Sequence, residues 1–160
     1  MSAILGSEKV MQAAQTTFIS STNWTDSVGP AAALATIKKY ESENVENHII
    51  KLGKNVKEIW KNASLKNNIE IEISGLPTLA SFSFKSAHQA NMNTYFVIEM
   101  LKNNILGFRQ FKPSYAHSDH DLKKYENSVT KVFEQMSKID FKKLTNLVPA
   151  HTGFSRLVKE

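Results

Sequence analysis

The sequence has no cysteine, two arginines, four prolines and six glycines in 160 residues. Without cysteine there is no disulfide framework, no thiolate nucleophile, and no zinc-ribbon or iron–sulfur spacing. That absence fits a reducing compartment. No apolar run approaches the roughly 20 residues that a membrane-spanning helix needs, and the N-terminus has no charged region followed by an apolar core. The expectation is a cytoplasmic chain with no membrane partner. Arginine is scarce although the net charge is +5, from 20 basic against 15 acidic residues. The lysines are scattered among glutamates, whereas phosphate-reading surfaces cluster basic residues with arginine prominent. A solvated surface with no nucleic-acid partner is expected.

What is present is a folded composition, 41% hydrophobic and of single-domain length. In "MSAILGSEKVMQAAQ" an apolar start reads as the end of a strand, followed after Gly6 by a helix from Ser7 to about Gln15. The stretch "TFISSTNWTDSVGPAAALATI" then places six Ser/Thr hydroxyls and Asp26 ahead of an alanine-rich helix with one small-residue face, suited to close approach by another backbone. Pro30 falls in the first turn of that helix, where a missing N–H is tolerated.

Composition changes at Ser42 to Asn44. Val45, Ile49, Leu52, Val56, Ile59, Trp60 and Ala63 then recur at helical spacing across Gly53. "IEIEISGLPTLASFSF" alternates, with Ile69, Ile71 and Ile73 on one face and Ala80, Phe82 and Phe84 following a Gly75–Pro77 turn signal, which predicts two antiparallel strands. A helix apolar nearly all round runs from Gln89 to Leu101 and is expected to be buried on more than one side. "ILGFRQF" reads as a short strand. Ser118 with Asp121 three residues on resembles a capping box, opening a last helix whose stripe is Leu122, Tyr125, Val129, Val132, Phe133 and Met136. Trp60, Phe82, Phe84 and Phe96 fall on apolar faces and are assigned to the core. The class is α+β, a small, largely antiparallel sheet covered by helices.

Three segments in order, "SAILGSEKVM", "SSTNWTDSVGPAAALATI" and "NILGFRQFKPSYAHSDHDL", resemble landmarks of class III pyridoxal-phosphate (PLP) aminotransferases, nearest the glutamate-1-semialdehyde 2,1-aminomutase-like branch. The resemblance runs over nearly the whole chain and is weakest after Asp140. It implies the C-terminal third of a fold-type I enzyme: residues 1–44 as the end of the large cofactor-binding domain, and 45–160 as the small C-terminal domain. It implies a homodimer in the complete enzyme, with small amino-acid and keto or aldehyde substrates. In that family a Thr before an alanine-rich helix reaches the partner subunit's cofactor phosphate. Matching "LATI" to the family's "LATL" puts Thr22 at that position and Ser21 where glycine is common. Read from the residues alone, the same hydroxyls satisfy free N–H groups at a helix start; Ser20 keeps that structural role, and Asp26 is assigned to capping the helix.

The resemblance also implies what this sequence lacks. The lysine that forms the Schiff base lies upstream of "MSAILG" in the family, and Lys9, on the following helix, is not its equivalent. No residue of the chain is therefore assigned as catalytic. The expectation is a fragment or subunit that transfers amino groups only with a missing N-terminal segment or chain. The alternative is a non-catalytic interaction module or decayed remnant that keeps the small-domain fold. Arg109, with its planar fork, and His117 are candidates for contacting substrate. "HSDHD" could seat a metal on a helical turn, but a solvated capping turn is the reading adopted, and no metal is assigned.

Overall fold

The computed structural model describes residues 4–19, 22–23, 25–144 and 147. Its contacts fall into two compact units, Met1–Val45 and Glu46–Glu160.

The first unit contains two helices, α1 (Glu8–Ala14) and α2 (Val28–Ser42). Ile4 and Leu5 lie in no strand and are exposed, so the expected strand end is not formed at these positions. An isolated apolar run carries no partner strand with it, and a strand without a ladder leaves its backbone groups to water. No residue of either helix is buried. Leu34 and Ile37 of α2 are 60% and 55% exposed, and its small-residue face, suited to close approach by another backbone, has nothing upon it among the described residues.

The second unit is built from α3 (Val45–Asn67), β1 (Ile71–Ser74), a 3-10 turn (Pro77–Leu79), β2 (Ala80–Phe84), α4 (Gln89–Lys102), β3 (Gln110–Phe111) and α5 (Asp119–Met136). The sheet order is β1-β2-β3 and all pairs are antiparallel. Opposition of Ile71 to Phe84 and of Ile73 to Phe82 puts these side chains on one face, while Glu72, Ser74, Ser81 and Ser83 take the other. The chain is thus an α+β protein with a small antiparallel sheet and helices packed on it.

Helices α2, α3 and α4 stop by the same device. Asn44, Asn68 and Asn104 each adopt a positive φ (50°, 53° and 58°) just past the helix end, a left-handed turn that asparagine tolerates better than other side chains. Gly53 sits inside α3 for a different reason: a Cβ there would lie 1.8 Å from the Pro77 carbonyl oxygen. The absent side chain lets the helix lie directly on the β1–β2 connection.

The core is aromatic. Phe82 stands 4.9 Å from Trp60, 5.2 Å from Phe84 and 5.4 Å from Phe96, centroid to centroid, in tilted or edge-to-face contacts. Val129, Val132 and Phe133 of α5 are fully buried against them. Burial of each large side chain stabilises by about 1.5–3 kcal/mol. Helix α4 buries Met92, Phe96 and Met100, packs half-buried Tyr95 and Val97 against the same core, and leaves Ile98 and Leu101 exposed. The strand expected over residues 105–111 shrinks to Gln110–Phe111. Asn104 turns the chain, the Gly107 N–H bonds back to the Ile105 carbonyl at 2.8 Å, and Leu106 is exposed.

Candidate functional site

The hydroxyl loop of the first unit leads into α2. The N-cap of α2 is Ser27, which makes no side-chain cap bond; Asp26, one residue before it, accepts the Val28 N–H on Oδ1 at 2.9 Å, so the carboxylate serves a free donor at the helix start without being its N-cap. Thr22 lies in a turn and is exposed. Ser20 and Ser21 lie outside the described residues.

In the second unit the corner between β3 and α5 is tightly specified. Ser118 accepts the Asp121 N–H at 3.3 Å, and Asp121 Oδ2 accepts the Ser118 N–H at 2.9 Å and its hydroxyl at 2.7 Å, a reciprocal capping box. Those bonds hold the Asp121 carboxyl below its ordinary range. Just upstream, the Ser114 N–H donates to His117 Nδ1 at 3.0 Å. The lone pair must then be on Nδ1, which leaves the proton of the neutral ring on Nε2. His48 Nε2 lies 3.2 Å from the His117 carbonyl oxygen, so it is the donor of that contact. The His117 ring rests 5.3 Å from that of Phe111.

His117 lines a cavity of ≈ 360 Å³ whose walls include Leu52, Phe111, Leu122 and Tyr125, with Lys112, Lys124 and Asp121 also on its lining. Arg109 is not in it. Arg109 lines a second cavity of ≈ 180 Å³ with Ser74, Ser81 and Ser83, and its guanidinium carbon stands 5.0 Å from the Phe108 ring centre. Phe108 and Gln110 line both spaces. The two candidate substrate residues are therefore assigned to different cavities, each in residues 46–160.

Among the described residues, no group of three or more His, Asp or Glu side chains gathers as a metal site would require. No described helix is long and apolar enough to cross a membrane. Ser74, Ser81 and Ser83 were missed as site residues by sequence reasoning. Their signal was the same alternation that assigned Ile73, Phe82 and Phe84 to the core, since the intervening positions must share the opposite face.

No family model matches the sequence, and no curated protein matches it. A solved structure does: the PLP internal aldimine form of the FumI protein of Sphingopyxis sp. MTA144. The TM-score is 0.75 at 19% identity, over 91% of this chain and 34% of that one. What is shared is the fold. The chain spans about a third of the length of that PLP-containing protein, and the likeness takes in most of its residues rather than one motif.

Proposed function

We propose that this chain is a segment or subunit of a PLP-dependent aminotransferase or aminomutase, and that it works only when joined to the lysine-bearing remainder. The observation that carries the proposal is the continuity of the likeness, 91% of the chain on one third of a PLP-containing protein. The landmark segments occur in the order that this class requires.

The residues fit one end of the cofactor. Thr22 is exposed ahead of a helix N-terminus, and a hydroxyl with nearby backbone N–H groups can donate to phosphate without adding a counter-charge. Ser21 is the second hydroxyl assigned to that end. Asp26 is engaged by the Val28 N–H and is not assigned to the phosphate. When bound, PLP supplies the electron sink that lets the substrate carbon next to nitrogen lose and regain a proton. This chain's part is to anchor the phosphate at a subunit boundary and to supply the small domain; amino acids and their keto or aldehyde partners are the substrates.

The test compares the chain alone with the chain joined to, or co-expressed with, its upstream coding segment. The joined protein is expected to retain PLP through gel filtration and to transfer an amino group, while the chain alone does neither. Turnover by the chain alone, or a joined protein that holds no PLP, overturns the proposal.

A second reading is favoured by the exposed apolar side chains of α2. Under it the chain is a non-catalytic interaction module, and it binds a protein partner through Val28, Leu34 and Ile37 without ever holding PLP.

A further inference from the structure

We infer that the outer face of the three-stranded sheet carries a binding pocket for a small oxyanion, a carboxylate or a phosphoryl group, formed by Arg109 with Ser74, Ser81 and Ser83. The inference does not rest on the aminotransferase reading, because it is argued from the pocket's own lining and its unmet donor.

The pocket follows from strand alternation. With Ile73 and Phe82 turned to the core, Ser74, Ser81 and Ser83 are left on the opposite face. Ser74 and Ser81 are directly paired across the ladder, their hydroxyl oxygens 3.0 Å apart. One of the two donates to the other, so the pair still has a second hydroxyl proton for a ligand. Arg109 enters from the strand side, where its carbonyl accepts the Phe82 N–H at 2.9 Å and fixes its backbone beside the serines.

The deciding feature is the Arg109 Nε–H, which is buried and has no hydrogen-bond partner in the structure. A buried donor attached to a permanent positive charge is costly to leave unmet, and native structures seldom do so. The lining around it is hydroxyl, amide and aromatic, and holds no carboxylate. Glu72, which faces the same side opposite Ser83, is engaged by Lys85 at 3.3 Å. Lys57 donates to the carbonyl of Gly75, the residue after Ser74.

The space of ≈ 180 Å³ has room for a carboxylate or phosphate group on a short stem. Guanidinium and carboxylate or phosphate match in planar, two-pronged geometry, and serine hydroxyls add donors without charge.

The experiment follows the Arg109 Nε–H by proton–nitrogen NMR on the chain as it is, while sodium acetate and inorganic phosphate are titrated in separate series at constant ionic strength. Arg156, the other arginine of the sequence, is the internal control. The Arg109 signal is expected to shift saturably with at least one anion while the Arg156 signal does not. Saturation by acetate alone assigns a carboxylate ligand, by phosphate alone a phosphoryl ligand, and by both an unselective oxyanion pocket. Ser83→Ala should weaken the affinity about tenfold, and Arg109→Lys should abolish saturation, read from the backbone amides of Ser81 and Ser83. The inference is overturned by the absence of saturation with either anion, or by affinity that survives Ser83→Ala unchanged. Ser83→Ala removes only a partly exposed hydroxyl, so the test stands even where Arg109→Lys fails to fold.

Discussion

Trp60 Nε1–H donates to the Tyr125 hydroxyl oxygen at 2.9 Å, joining helices α3 and α5 through a buried polar bond. Both residues are buried, so the bond meets a donor that water cannot reach. Replacing Tyr125 with Phe keeps the ring and orphans the indole N–H. The expected loss is about 1–3 kcal/mol in denaturant unfolding, with an altered tryptophan emission in the folded state. An unchanged midpoint would show that the indole finds another acceptor.

Burial also pushes the Tyr125 phenol above its ordinary range. A group whose folded pKa is raised contributes stability that is full below the unfolded value and is lost as pH rises through the folded one. The protein is therefore expected to lose stability in alkali as the unfolded state releases that proton. In absorbance titration the Tyr125 phenolate should appear only together with unfolding. A reversible phenolate signal from Tyr125 in the folded protein would contradict the burial argument.

Gly53→Ala tests the contact between α3 and the Pro77 carbonyl. Alanine is the better helix former by about 1 kcal/mol, so propensity alone predicts a gain. The added Cβ would meet backbone oxygen at 1.8 Å, which side-chain rotation cannot relieve. Overpacking of this kind costs about 1–3 kcal/mol, and the net expectation is a destabilised protein with a lower thermal midpoint. A stabilised variant would mean that the turn yields freely.

At the start of α5, the Asp121 carboxyl is held low by the Ser118 hydroxyl and N–H. Its contribution is full above the ordinary carboxylate range and is lost as pH falls through its lowered value. NMR titration should place Asp121 below exposed aspartates, and Ser118→Ala should move it upward. An Asp121 that titrates normally in the native protein would argue that the box does not persist in solution.

For the proposed phosphate end, Thr22→Val in the joined protein should weaken PLP retention by roughly tenfold, the worth of one charge-assisted hydrogen bond, while the thermal midpoint of the cofactor-free form stays put. Loss of stability with normal retention would return the loop to capping α2.

Much of the second unit was legible from side-chain spacing. The period of two in "IEIEIS" and "ASFSF" gave two antiparallel strands and the side chains that face the core, the register of Ile73 against Phe82 came from the structure, and the Ser118–Asp121 pair announced the start of α5. Spacing was less informative where a segment's fate depends on something outside it. The residues before Gly6 are apolar enough for a strand, but a strand exists only with a neighbour. Helix α2 has a small-residue face, and nothing in its sequence says whether that face is met. The strand expected over residues 105–111 failed on Asn104, whose left-handed turn is cheap for asparagine yet invisible in a hydrophobic pattern. The split of Arg109 and His117 between two cavities could not be read either, since their separation in sequence is short and only the strand pairing of Arg109 parts them.

The placement of Phe133 and Tyr125 on the last helix bears on how the protein is made. The rings that α5 covers, Trp60, Phe82, Phe84 and Phe96, are all synthesised before it. A chain emerging from the ribosome can wind α3 and pair β1 with β2, but it has no lid for that aromatic surface until residues 119–136 have cleared the exit tunnel. Ribosome-stalled chains ending before Asp119 should therefore be protease-sensitive and prone to chaperone capture, and resistance should arrive in one step, with α5.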